Sequence, residues 1–367
     1  MIKTEKGCSF EVEQSEWIDE LVFSQEGTFL ASLSDKDSRD HILGDKYLVR
    51  LFSCCDGKEI LRRTLFDCKH IYFGPGNQNL LALTFPVKRK AKGFSTEYSD
   101  YRLSVVEVRQ NKTLASFEFK DKPAPFNGLL PWSVAVEPIT QVIAVIYDHI
   151  EVIHPYEGGD IFLWGIKKGF LGSHLEEISH MRGRIYFKPT IEFSPDGKLI
   201  ASTHSARLQG KQHSRLVSVV EVWDVQTANL VRNIEIPETI YIHSIYFGRD
   251  RSIFVSNIGG TFNIGSREPL ILWSEETGKV IEIDNPEDRF VAFDLNPDGK
   301  SFATASEGGQ VKLWSIPEGQ QIGEFYAGAG IRSRSKARNI KFSPDGKSLA
   351  VGATVGSNAR VQVWTFE

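Results

Sequence analysis

One eight-residue phrase occurs three times in this chain, as Ile191-Glu192-Phe193-Ser194-Pro195-Asp196-Gly197-Lys198, Phe293-Asp294-Leu295-Asn296-Pro297-Asp298-Gly299-Lys300 and Ile340-Lys341-Phe342-Ser343-Pro344-Asp345-Gly346-Lys347. Each copy is an alternating apolar strand running into a Pro-Asp-Gly turn. Proline presets φ there, and glycine accepts the positive φ that closes a hairpin. Small and apolar residues follow each time, Leu199-Ile200-Ala201-Ser202, Phe302-Ala303-Thr304-Ala305 and Leu349-Ala350-Val351-Gly352, and read as a second, antiparallel strand. A third strand then ends in tryptophan, at Val222-Trp223, Leu272-Trp273, Leu313-Trp314 and Val363-Trp364. Beyond it a polar turn such as Glu275-Glu276-Thr277-Gly278-Lys279 leads into a fourth strand, Val280-Ile281-Glu282-Ile283. A repeated four-strand unit is one blade of a β-propeller.

The period continues backward through poorer copies. Ser104-Val105-Val106-Glu107-Val108-Arg109 aligns with Ser218-Val219-Val220-Glu221-Val222-Trp223, which puts Arg109 in the tryptophan position of a second blade. Leu51-Phe52 fills that position in the first blade and Leu163-Trp164 in the third. The marks Phe52, Arg109, Trp164, Trp223, Trp273, Trp314 and Trp364 number seven. The sequence therefore predicts an all-β fold, a seven-bladed β-propeller of four-stranded antiparallel blades. One domain is expected to span 1–367, with blades near 17–66, 68–119, 127–178, 188–236, 241–283, 290–325 and 337–367 plus 9–13. The last unit stops after its third strand, so the alternating N-terminal segment Ser9-Phe10-Glu11-Val12-Glu13 is expected to close the ring as the missing fourth strand.

With its recurrent Ser-Pro-Asp-Gly-Lys, its Leu-Ala or Ile-Ala segments and the pair Trp223-Asp224, the chain resembles the WD-repeat β-propeller family in degenerate form. That resemblance implies a non-catalytic scaffold or adaptor whose loops hold a partner protein or peptide. It also implies that the strand-end tryptophans pack between blades. Trp17 and Trp132 fall where first strands begin, a position that could line the central channel.

Composition narrows the function classes. Forty-three basic against forty-seven acidic residues give a net charge of −4, unlike a protein that coats nucleic acid, unless positive charge gathers on one face. The N-terminus lacks the apolar region of a secretory signal, and no apolar run approaches the ~20 residues that span a bilayer. A cytoplasmic protein without a membrane partner is expected. The four cysteines Cys8, Cys54, Cys55 and Cys68 suit reduced thiols better than a disulfide framework.

Several strings imitate binding or catalytic motifs without their geometry. Asp35 to Asp40 begins like a calcium loop, but Arg39 replaces an oxygen ligand and Asp40 the turn glycine. Thr277-Gly278-Lys279 lacks the upstream glycine and helix of a phosphate loop and reads as a hairpin turn. His174 and His180 are too far apart for a helical metal pair, and Asn111-Lys112-Thr113 falls in a turn. No catalytic residue, metal site, cofactor or small-molecule substrate is inferred.

The irregularities of the repeat point to a binding face. In this family's geometry the Pro-Asp-Gly turns lie on one face, and the links between second and third strands and between blades lie on the other. Long insertions fall there: Leu33 to Lys46, Phe85 to Tyr101, Tyr147 to Asp160, His204 to Arg215 and Ser256 to Pro269. Such long loops are uncommon unless they act. Basic residues concentrate in this set: Lys88, Arg89, Lys90 and Lys92; Arg207, Lys211 and Arg215; Arg182 and Arg184; and Arg332, Arg334, Lys336 and Arg338, which alternate along the link into the last blade. Cations spaced in this way suit a row of carboxylates or phosphates. The expected partner is a protein presenting an acidic segment, with a nucleic acid or other anionic ligand as the alternative.

Overall fold

The computed structural model describes residues 4–12, 17–35, 46–74, 79–84, 88–92, 95–99, 102–118, 131–137, 142–147, 160–169, 172–182, 190–209, 214–236, 242, 244–257, 269–284, 288–327, 335–355 and 358–366. Among these residues every regular element is a strand. Seven four-stranded antiparallel sheets form a ring.

Blade 1 comprises Trp17–Phe23, Phe29–Asp35, Lys46–Ser53 and Glu59–Phe66, and blade 2 Cys68–Phe73, Leu80–Thr84, Arg102–Glu107 and Lys112–Glu118. Pro131–Val136, Ile143–Tyr147, Asp160–Gly169 and Gly172–Arg182 make blade 3, followed in blade 4 by Ile191–Phe193, Leu199–Gln209, Ser214–Asp224 and Leu230–Glu235. Blade 5 is Ser244–Phe247, Ile253–Ser256, Leu270–Ser274 and Val280–Ile283; blade 6 is Phe290–Leu295, Ser301–Ser306, Gln310–Ser315 and Gln321–Tyr326. In blade 7, Ser335–Phe342, Ser348–Val355 and Asn358–Phe366 are joined by Thr4–Val12 as the outermost strand. The N-terminal closure expected from the sequence is thus present, and it runs from Thr4 opposite Phe366 to Val12 opposite Ala359.

The three repeated phrases build the same turn. Ser194 N–H donates to the Leu199 carbonyl at 2.9 Å, Gly197 N–H to the Ser194 carbonyl at 2.8 Å, and the Ser194 hydroxyl to Asp196 Oδ1 at 2.7 Å. The Ser343 turn repeats this pattern with Asp345, and Gly197, Gly299 and Gly346 have φ of 68°, 68° and 75°. Blade 5 departs from it. Its turn reads Gly248-Arg249-Asp250-Arg251, and Arg251 holds a left-handed φ of 68° without being glycine. An ion pair from Arg251 to Asp196 ties that turn to blade 4, and the Arg249 guanidinium donates to the Pro344 carbonyl of blade 7 at 2.6 Å. Contacts across blades therefore offset a local conformation that arginine disfavours.

The core lies between blades. Each of seven apolar clusters draws its residues from two consecutive sheets; Tyr72, Leu83 and Val105 of blade 2 meet Val145, Phe162 and Trp164 of blade 3. Leu21, Phe23 and Leu30 of blade 1 meet Ala350, Val361 and Val363 of blade 7, which closes the ring. Trp164, Trp223, Trp273, Trp314 and Trp364 are all buried in such layers, as inter-blade packing requires. Trp314 also donates its indole N–H to Thr304 Oγ1 at 2.9 Å, which satisfies a polar group that burial would otherwise strand.

One alignment is corrected. Leu80 of blade 2, opposite Phe73, accepts its bond from Val108 and not from Arg109, so Val108 occupies the tryptophan position. Val108 is fully buried in the layer against blade 1, whereas Arg109 is exposed in the following turn. A guanidinium is too costly to desolvate in an apolar layer, and a one-residue register change places valine there instead.

Two of the expected long loops are strands. Within Phe85 to Tyr101, Lys88–Lys92 and Ser95–Ser99 pair as a separate two-stranded sheet. Within His204 to Arg215, the second and third strands of blade 4 continue their ladder as far as Gln209 opposite Ser214. In both stretches the backbone ladder to the neighbouring strand builds the ribbon.

Candidate functional site

Two groups of residues bear on ligand binding. The first is the basic set expected from the sequence. Lys88, Arg89, Lys90 and Lys92 come together on one strand of the two-stranded sheet, opposite Ser99, Tyr98, Glu97 and Ser95. Arg207 stands opposite Leu216, and Arg215 opposite Leu208, on the blade 4 ribbon. Register therefore assigns Arg207 and Arg215 to opposite faces of that ribbon. Arg182 ends the outer strand of blade 3, where its register partner is Asp160. Lys336 and Arg338 lie inside the first strand of blade 7, and an irregularity between Ala337 and Asn339 interrupts the regular alternation read from the sequence. Arg184, Lys211, Arg332 and Arg334 lie outside the described residues, as does most of the calcium-like string. The side chains of Trp17 and Trp132 also lie outside them.

The second belongs to the central channel, a cavity of about 570 Å³ lined by the first strand of every blade. Aligned on the turn, the equivalent positions are Val22, Tyr72, Ala135, Glu192, Tyr246, Asp294 and Lys341 in blades 1 to 7, and all seven residues contribute to the channel lining. Two residues earlier, Glu20 and His70 add a second charged level.

These groups form one electrostatic network. Lys341 Nζ lies 3.1 Å from Asp294 Oδ1, and the Phe342 N–H donates to Asp294 Oδ2 at 2.7 Å. Glu20 pairs with the His70 imidazole and accepts the Ile71 N–H at 2.9 Å. The Asp294 carboxyl is pushed up by burial, which outweighs the Lys341 ammonium and the Phe342 N–H that favour its ionised form. Lys341 is raised chiefly by Asp294. Burial alone would lower His70, but the Glu20 carboxylate carries it above its ordinary value. Glu192 is enclosed by protein around the ring although its side chain meets channel solvent. That enclosure pushes its carboxyl up to about 7, with Lys341 opposing the shift and Asp294 adding to it.

A pH dependence of stability follows. Between its ordinary 4.5 and about 7, Glu192 keeps a proton in the folded chain that the unfolded chain has lost, so stability rises as pH falls through 7. His70, raised from 6.5, contributes fully below 6.5 and loses that contribution as pH rises through its folded value. Both act in the same direction. The thermal midpoint should be higher near pH 6 than near pH 8, and Glu192→Gln should shrink the difference; an equal difference in the variant would remove Glu192 from the account.

The sequence contained a signal for this network. Glu192, Asp294 and Lys341 are the charged residues between two apolar ones in the three repeated phrases, and alternation turns them away from the inter-blade layers. What one strand cannot reveal is that the other blades aim their own groups at the same axis.

Seven four-stranded sheets around such a channel define the class as a β-propeller. Residues 282–315, at the end of blade 5 and through the third strand of blade 6, match the family model described as WD domain, G-beta repeat. The chain is a β-propeller, and this stretch of it is similar to a WD repeat. Over 77 residues it is 34% identical to U3 small nucleolar RNA-associated protein 21 of Saccharomyces cerevisiae, a stretch covering 21% of this chain and 7% of that protein. Over 198 residues it is 22% identical to meiotic recombination protein rec14 of Schizosaccharomyces pombe, covering 52% of this chain and 55% of the relative. The chain thus spans a small part of the first relative's length and about half of the second's.

Proposed function

We propose that this propeller is a non-catalytic scaffold of the cytoplasm that holds a partner protein on the face carrying its basic hairpins, through an acidic segment of that partner. WD-repeat propellers in general bind protein partners. The observation that carries the choice of face is the hairpin Lys88–Lys92 with Ser95–Ser99, a basic sheet additional to the seven blades. A ring closed by seven apolar layers gives it a rigid base, and rigid scaffolds with added loops or ribbons are how binding surfaces are usually presented. The extended ribbon of blade 4, with Arg207 and Arg215, and the start of blade 7, with Lys336 and Arg338, supply further cations at the same ends of their blades.

The hairpin also provides the cleaner test. Because among the described residues its strands pair only with each other, changing Lys88, Arg89, Lys90 and Lys92 together to Glu is expected to leave the blade ladders intact. Partner recovery from native lysate should be lost while the thermal midpoint stays within about 2 °C, as for other surface substitutions. Full recovery by the folded variant would discard this face. A nucleic-acid partner is the second reading, favoured by the same cations and by the RNA-associated name of the yeast relative. It requires an acidic peptide to be ignored and an RNA oligonucleotide to bind with a steep loss of affinity in salt.

A further inference from the structure

The channel lining contains none of that basic set, and its chemistry has the opposite sign. Three carboxylates, Glu20, Glu192 and Asp294, outnumber the Lys341 ammonium and the His70 imidazole. Glu20 is engaged by His70 and the Ile71 N–H, and Asp294 by Lys341 and the Phe342 N–H. Glu192 differs. Among the described residues its carboxylate accepts no hydrogen bond, and it opens onto about 570 Å³ of channel space.

The groups around it come from five other blades. Tyr246 belongs to blade 5, Asp294 to blade 6, Lys341 to blade 7, Glu20 to blade 1, and His70 with Tyr72 to blade 2. The tyrosine hydroxyls stay neutral, because burial raises both of them well above the ordinary phenol range. Lys341 is committed to Asp294 at 3.1 Å. An enclosed carboxylate without a donor of its own is costly to ionise, and a cation brought to it from outside would remove that cost.

We propose that the central channel binds the cationic end of one lysine- or arginine-type side chain, its ammonium or guanidinium seated on Glu192. A long unbranched side chain can enter a channel of this volume end-on, while its charge meets a site whose fixed groups are net negative. Seating the cation releases the proton that Glu192 otherwise keeps near neutrality, so binding strengthens as pH rises. His70 acts in the same direction, since its protonation at lower pH adds a competing positive charge beside Glu20.

The test uses the full chain at low ionic strength, with Nα-acetyl-lysine amide and Nα-acetyl-arginine amide as probes and Nα-acetyl-norleucine amide as the uncharged counterpart. At about pH 8 at least one cationic probe should bind and norleucine amide should not, with affinity falling several-fold by about pH 6. Comparing the two cationic probes tells ammonium from guanidinium. Glu192→Gln should weaken binding about tenfold or more with the fold retained, as expected for loss of a charge-assisted contact. Lys341→Met should strengthen it by removing a like charge. No binding at about 10 mM probe, equal binding of norleucine amide, an affinity independent of pH, or an unchanged Glu192→Gln variant would each overturn the proposal. So would a divalent metal ion that binds where both cationic probes fail. The pH profile of the unaltered protein keeps the proposal testable even if a channel variant fails to fold.

Discussion

A chain lacking residues 1–15 should melt about 10 °C or more below the full chain, and should associate with itself on standing. The strand Thr4–Val12 is the whole outer edge of blade 7, laid against Asn358–Phe366 through seven register pairs. Its removal strips a ladder from one blade and leaves Asn358–Phe366 as a bare edge. That strand also carries Val361 and Val363 of the layer against blade 1, so loosening it weakens the joint that closes the ring. Differential scanning calorimetry and light scattering read the two effects. A synthetic peptide of residues 1–15, added in excess, should recover part of the midpoint. An unchanged midpoint in the truncated chain would mean that the ring is held by the apolar layers alone.

The second large effect is expected at a turn. Gly346 combines a φ of 75° with a close approach, because a Cβ placed there meets the side chain of Asn296. Asn296 cannot easily withdraw: it is buried, donates to the Gly346 carbonyl at 3.2 Å and accepts the Asp298 N–H at 3.1 Å. Gly346→Ala should therefore cost about 2–4 kcal/mol, from the left-handed backbone together with a displaced hydrogen-bonded neighbour. At Gly278, φ is 62° but nothing lies within 4 Å of the added carbon. Gly278→Ala should cost only about 1 kcal/mol. Gly299, where the nearest atom is the Phe254 ring at 3.9 Å, belongs with Gly278. Equal costs at Gly346 and Gly278 in denaturant unfolding would show that backbone conformation alone decides.

These two turns also show what a single strand of text can convey. The Pro-Asp-Gly phrase states its own conformation, because every residue that fixes the turn lies within eight positions. Ring closure was legible for a similar reason: the seventh unit visibly lacks a strand, and Ser9 to Val12 alternates without a blade of its own. Register was less legible. Ser104 to Arg109 aligns with Ser218 to Trp223 letter by letter, yet the ladder sets Val108 against Leu80, since burial of a side chain outranks resemblance of a string. The channel network was hardest to see, because Glu20, His70, Glu192, Asp294 and Lys341 come from five blades and meet only at the axis. The cations proposed to form a binding face were legible as residues; which of them share a ribbon surface depended on pairings such as Arg207 with Leu216.

The shared sheet of blade 7 also fixes an order in time. During synthesis, Thr4–Val12 leaves the ribosome before the other strands of the ring, and Asn358–Phe366, its ladder partner among the described residues, is the last of those strands to follow. Until that strand has been made, this segment is a β-forming strand without its ladder partner, the state in which nascent chains are most prone to join one another. Glu5, Lys6 and Glu11 interrupt it with charge of both signs. Such interruptions discourage chance pairing with a neighbouring chain while leaving the backbone competent for its proper partner, so the segment can wait until the ring is ready to take it.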